Sequence, residues 1–200
     1  MQIDPKDHDA SRIYQLMTSV IVPRPIAWVS TLAKDGIPNL APFSFFNGVT
    51  STPPLLSIAA GRRRGARKDT TNNASATREL VVNIVTEAHL DAMVATSGEY
   101  PPEIDEISLA GLTPLPSVKV KPPRIAEAPI QLECTTREIF EVSPGIVDLI
   151  LAEIVLVHVA DELPVGPDLH IPAGSFRPLA RLGGQEYAAL GTILTAARPK

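Results

Sequence analysis

Five cations fall within seven residues at Arg62-Arg63-Arg64-Gly65-Ala66-Arg67-Lys68. Alone, such a cluster reads equally well as a solvated basic loop. The segment that follows, Lys68-Asp69-Thr70-Thr71-Asn72, shifts the reading. Asp69 is the expected cap of a short helix from Thr70 to Arg78, and a helix start presents unpaired amides with partial positive charge. Cations beside such a start make a natural phosphate site. A second constellation is Asn39-Leu40-Ala41-Pro42-Phe43-Ser44-Phe45-Phe46-Asn47, which holds three of the chain's five Phe residues interleaved with small polar ones. Phe43 and Phe45 read in part as core aromatics. Ser44 and Asn47, if buried, need partners, and a planar heteroaromatic ligand lying along the strand would supply them. His170 and Arg181 are ambiguous alone, because a lone histidine is more often structural than catalytic. There is no Ser/His/Asp set, no HExxH and no glycine-rich phosphate loop, so no catalytic side chain is singled out. His8, His89, His158 and His170 show no metal-ligand spacing, and no metal site is expected. Cys134 is the only cysteine, which excludes an intrachain disulfide and any cysteine cage for zinc or iron–sulfur.

The elements that must position these groups read mostly as strands. Ile26–Thr31 and Leu40–Phe46 flank Asp35-Gly36, a dipeptide suited to a tight turn, and predict a hairpin. Pro53-Pro54 marks the entry to a strand over Leu55–Ala60. Leu80–Val85 is almost wholly apolar and predicts a strand buried on both faces. Ile130, Leu132 and Cys134 alternate with Gln131, Glu133 and Thr135, the period of a half-buried strand. Arg137–Val142 continues it after a bend, and Ser143-Pro144-Gly145 breaks it. Asp148–Ala160 is rich in Ile, Leu and Val and favours strand over helix. Helices are few: Asp69 onward, and Thr86 as cap of a helix through Thr96 with Leu90, Met93 and Val94 on one face. Ser97–Pro123 carries six prolines and reads as a long excursion with little regular structure. The residue pattern therefore predicts one closed antiparallel barrel, which would remove exposed sheet edges.

The chain has 200 residues, favouring one domain over residues 1–200 rather than two. Hydrophobic residues at 44% and charged residues at 20% fit a globular core. Proline, at 20 of 200 residues, is about twice its usual share, in keeping with many strand ends and ordered loops. A net charge of −4 argues against nucleic acid as partner. A nucleic-acid-binding barrel using residues 62–68 remains the competing reading from another class, and it predicts salt-sensitive oligonucleotide binding. Met1–Asp9 lacks the basic start and apolar run of a targeting signal. Asp148–Ala160 is interrupted by Glu153 and His158 and falls short of the roughly 20 residues of a membrane helix. The expectation is a soluble, cytoplasmic protein with no membrane partner.

Taken in order, Arg24-Pro25-Ile26-Ala27-Trp28-Val29-Ser30-Thr31, Asn39 to Asn47, Pro53-Pro54, Lys68-Asp69-Thr70 and Val81-Val82-Asn83 resemble the flavin reductase-like family, in particular its flavoredoxin branch. Arg181-Leu182-Gly183-Gly184 with Tyr187 resembles that family's C-terminal signature. The resemblance implies a mainly β, antiparallel split barrel of the FMN-binding type with a few helices. It also implies a homodimer with FMN near each subunit boundary, and transfer of reducing equivalents from NADH or NADPH to the flavin. A redox protein or monooxygenase partner is a further implication. The alternative function is a flavoredoxin-type carrier, with FMN tightly bound and no direct reaction with NAD(P)H. Residue by residue, the resemblance implies that Ser44, Phe45 and Asn47 hold the isoalloxazine, largely through backbone groups. It puts Ser30 and Thr31 beside the flavin's tail, and Arg62, Lys68 and Thr70 at its phosphate. His170, Arg181 and Tyr187 would border the mouth where nicotinamide enters. For Arg181 a structural reading stands beside this one: pairing with a carboxylate, with Gly183 merely turning the chain.

Overall fold

A computed structural model of the protein describes residues 1–197 and Pro199. Seven strands form one antiparallel sheet: β1 (Ala27–Leu32), β2 (Pro38–Phe43), β3 (Phe46–Ser51), β4 (Pro54–Gly61), β5 (Glu79–Ile84), β6 (Ile130–Ser143) and β7 (Val147–Val159). Their spatial order is β2-β1-β5-β6-β7-β4-β3. The edge strands β2 and β3 are consecutive in the chain, joined only by Ser44 and Phe45. Two linking residues make three Cα steps, a reach of no more than about 11 Å, so the sheet must curl until its edges approach. No ladder joins them, and the sheet is an open, split barrel rather than the closed one that the residue pattern predicted.

The predicted hairpin is present. Ala27 faces Phe43 and Leu32 faces Pro38 across β1 and β2, and Gly36 takes the positive φ, +92°, that the turn requires. Alternation along β1 feeds two cores. Ala27 and Val29 point into the barrel with Phe43, Leu56, Ile58 and Ile150. Ile26 and Trp28 join an outer core with Leu40, Met93, Ile107 and Ile125, and the Trp28 indole donates to Thr96 Oγ1 at 2.8 Å.

Among the described residues there are five α-helices: α1 (Ala10–Val20), α2 (Asp69–Thr77), α3 (Leu90–Ala95), α4 (Glu106–Leu109) and α5 (Ala173–Phe176). Lys68, not Asp69, occupies the N-cap of α2, and no side chain caps that start. The helix expected over Thr86–Thr96 is a 3-10 turn, Glu87–His89, running into α3. Leu90 and Met93 pack inward there, whereas Val94 is exposed. A three-stranded patch pairs Arg24–Pro25 with Ala180–Arg181 and the latter with Tyr187–Ala188, bringing the chain's two distant motifs together.

The strand over 130–143 is continuous, but it is not half-buried by alternation. Gln131 and Glu133 are as buried as their apolar neighbours, because the proline-rich excursion covers them. Glu133 is fully enclosed and accepts from the amides of Val118 (2.8 Å), Lys119 (2.5 Å) and Val120 (3.2 Å), and from His158 Nε2 at 2.6 Å. Burial alone would push its carboxyl up, yet these hydrogen bonds together hold it below the usual value. Asn83 Oδ1 accepts from the Ile125 amide at 2.9 Å. Buried polar side chains thus strap the excursion, which contains α4, onto the sheet.

Candidate functional site

A groove crosses β2 between the start of α2 and the three-stranded patch. Its two halves, each about 180 Å³, share Pro42 and Ser97 as walls. Each alone is smaller than the ~300–1,000 Å³ of a typical small-molecule site, and they adjoin at those shared walls.

The first half is polar and cationic, with Arg63, Arg67, Lys68 and Thr70 on its wall and Asn39 and Glu106 opposite chemistry to them. Lys68 makes no ion pair among the described residues, and its ammonium sits 5.3 Å from the Phe43 ring centre. Burial pushes its pKa below the ordinary value, and the nearby Arg63 adds to that, against the pull of Glu99. A charge so placed gains by meeting an anion. Arg63 reaches Glu99 at 2.8 Å. Thr70 is buried, and its Oγ1 accepts from Asn39 Nδ2 at 3.0 Å. Burial, followed by the proximity of Asp69 and Asp105, raises the Glu106 carboxyl above its usual range although the Leu40 amide pulls it down.

The second half is aromatic. Tyr14, Phe43, Ser44, Arg181 and Tyr187 line it. Arg181 stacks over Tyr187, with its guanidinium carbon 4.4 Å from the ring centre, and also donates to the Gly184 carbonyl. Arg24 assembles this end. It is buried, and it donates to the carbonyls of Thr18 (2.7 Å), Ile21 (2.6 Å) and Leu182 (2.7 Å), and to Ser44 Oγ at 3.5 Å. Phe45 flanks the groove beside Arg24 and Tyr14.

The fold therefore gathers Ser44, Lys68, Thr70, Arg181 and Tyr187 on one groove, with Phe45 at its margin. The other expected site residues lie elsewhere. Arg62 is turned away from the groove: its Nε and Nη2 grip Asp148 at 2.9 and 2.7 Å, and Nη1 meets Glu141 at 2.8 Å. Ser30 points to the outer face, where its hydroxyl donates to the Pro123 carbonyl and holds the strap. Thr31 lies one layer behind the groove, accepting from Asn73 at 3.1 Å and from Asn39 at 3.4 Å. Asn47 sits on the exposed strand β3. His170 is on the loop after β7, its amide bonded to Asp168 at 3.1 Å, and it lines neither half of the groove. Gly184 supplies the turn with φ +54°, but a Cβ on Gly183 would meet Ser19 Oγ at 2.9 Å. That close approach is to α1 rather than to a ligand.

Sequence reasoning missed Tyr14, Asn39, Ser97, Tyr100 and Glu106 as groove walls. One signal was available. Ile13, Leu16, Met17 and Val20 recur at helical spacing and mark the amphipathic α1 that carries Tyr14. Glu106 lies in the excursion and gave no comparable signal.

The model of the flavin reductase like domain matches residues 17–180. An uncharacterized protein of Aquifex aeolicus is 42% identical over 188 residues, covering 94% of each chain. Nitrilotriacetate monooxygenase component B from Bacillus cereus superposes with a TM-score of 0.92 at 37% identity, covering 98% of both chains. The 2-nitrobenzoate 2-nitroreductase NbaA of Pseudomonas fluorescens gives 0.91 at 32% identity, covering 100% of this chain and 96% of that one.

Proposed function

Since the chain belongs to the flavin reductase-like family, we propose that it binds FMN and moves reducing equivalents to it from NADH or NADPH. The observation that carries this reading is the pair of adjoining pockets: a cationic one, with a lysine that makes no ion pair among the described residues at an uncapped helix start, beside an aromatic one that shares its Pro42 and Ser97 walls. A flavin mononucleotide has the same two ends. Its bound ring would supply the hydride-accepting centre, so the chain needs no nucleophile of its own.

The residues divide the remaining work. Lys68, with Arg63, Arg67 and the first amides of α2, would hold the phosphate, and Thr70 lies beside them. The Pro42–Phe45 backbone would run along the ring. Arg181 and Tyr187 would stand at the mouth, where a fixed cation meets either the donor's phosphates or the negative charge of the reduced ring. Oxidoreductase chemistry in a relative named as a nitroreductase supports this reading. The likeness to a monooxygenase component supports delivery of reduced flavin to a separate protein. A homodimer is supported by the exposed apolar side chains of Tyr14, Met17, Val20 and Val49, a surface that a second copy would cover.

Binding tests the reading. Lys68→Ala should weaken FMN but not riboflavin, which lacks the phosphate. A charge-assisted contact of about 1.5–3 kcal/mol corresponds to a loss of tenfold or more. Equal losses for both ligands would move the phosphate elsewhere. Mass identification of the chromophore released from purified protein would name the flavin directly.

A further inference from the structure

Arg24 carries a buried charge that no carboxylate balances. It is 5% exposed, and it forms no ion pair among the described residues. Its guanidinium is enclosed instead by the carbonyls of Thr18, Ile21 and Leu182. The first two stand at the end of α1, whose dipole offers only about half an elementary charge. These carbonyls satisfy donors but leave a net positive charge. Toward the groove, Arg24 Nε stands 3.5 Å from Ser44 Oγ, and Ser44 lines the aromatic half. Arg181 lines the same half, also without an ion pair among the described residues, and no acidic residue shares that wall. Burial lowers the Arg24 pKa, and Arg181 adds to this against the opposing pull of Tyr14. Two like charges gathered at one end, with no acid between them, make a site that an anion completes.

On the FMN reading given above, that anion arises in the reaction itself. Hydride transfer from NAD(P)H adds two electrons and one proton to the neutral oxidised ring and leaves NAD(P)+, so the ring gains one negative charge. Arg24 does not line the groove, so it touches neither the ring nor the donor and acts only through its charge and through Ser44. We propose that Arg24 is a positioning residue that tunes the flavin: set behind Ser44, its charge favours the reduced ring over the oxidised one. A cation at the phosphate, such as Lys68, favours both forms alike, because reduction leaves the phosphate unchanged. Arg24 therefore deepens the FMN reading by setting how readily the bound ring is reduced.

Equilibrium reduction of the FMN-loaded protein beside a redox dye of known potential reads this preference directly. The wild-type protein should hold the reduced ring at least about tenfold more tightly than the oxidised one. For two electrons, that places the midpoint about 30 mV or more above that of free FMN. A midpoint at or below that of free FMN overturns the inference, with no variant required. Arg24→Gln removes the charge but keeps a donor, and it should lower the midpoint by about 30 mV, a tenfold loss of the preference. Arg24→Lys keeps the charge and should retain the wild-type midpoint. A purely structural arginine predicts another pattern: both variants melt earlier without flavin, and the flavin they hold keeps the wild-type midpoint. That pattern, or equal shifts in the two variants, overturns the tuning role. Lys68→Ala should weaken FMN in both oxidation states and leave the midpoint in place. If Lys68→Ala weakens FMN selectively while the Arg24 variants keep the wild-type midpoint, the tuning role alone falls. If the wild-type protein binds no flavin, the FMN reading falls with it.

Discussion

Arg62 and Arg63 are adjacent, yet one builds the fold and the other lines the groove. Arg62 makes parallel hydrogen bonds to a fully buried Asp148, which also receives Arg67 at 3.2 Å. The Arg62 hydrogen bonds, acting against burial and helped by Arg67, hold the Asp148 carboxyl below its ordinary value. A depressed carboxylate contributes stability that is complete above its unfolded pKa, about 3.9, and is lost as pH falls through the lower folded value. Thermal melting should therefore show a midpoint that drops steeply below about pH 4. Asp148→Asn should lower the midpoint by several degrees at neutral pH and flatten the acid limb, because breaking a buried pair strands its partner. An unchanged acid limb would remove Asp148 from that account. Arg181 belongs to the same scale. Its contacts with Tyr187 and Gly184 place it at the groove rather than on a carboxylate. Arg181→Ala should keep the protein folded and flavin-loaded, slow reduction by NAD(P)H by about tenfold or more, and leave reduction by dithionite unchanged. Stopped-flow absorbance separates these outcomes. The clustering of cations at the start of α2 was legible in the sequence. Which arginine turned inward was not, since that depends on Asp148, eighty-odd residues away on β7.

The strands were legible because their apolar runs and turn residues are local signals: Asp35-Gly36 between β1 and β2, and the continuous apolar run of β5. The proline-rich excursion was not, because what orders it is polar and distant. Glu133, Asn83 and Ser30 hold it through its amides and carbonyls. The same contacts explain why polar residues of β6 are buried where alternation would expose them. Glu133→Ala should leave the barrel folded but free the amides of Val118, Lys119 and Val120. Hydrogen exchange across residues 113–128 should then accelerate by about tenfold or more, the effect of losing hydrogen bonds to a charged acceptor. Exchange confined to wild-type rates would mean that packing of Ile107, Leu112 and Ile125 suffices. Because α4 belongs to this excursion and its Glu106 lines the groove, loosening the strap should also weaken flavin binding.

At the scale of the molecule, one chain leaves α1 and β3 largely uncovered, with Tyr14, Met17, Val20 and Val49 exposed. Tyr14 is also a groove wall, so a second copy covering α1 would complete the aromatic half. Light scattering should give a dimer, and Met17→Glu with Val20→Glu should yield a folded monomer with weaker flavin binding. A flavin-loaded wild-type monomer would contradict this. The family, and with it the split barrel, was legible from the order of short motifs. The groove's far walls were not, because the excursion and α1 carry few of those motifs. The central claim is tested most directly by mixing the FMN-loaded protein with NADH or NADPH in the absence of oxygen and following the visible flavin absorbance. The account predicts rapid bleaching by at least one nicotinamide with no second protein present. Absorbance that persists with both, yet is bleached by dithionite or by an added partner reductase, would contradict it and favour an electron carrier.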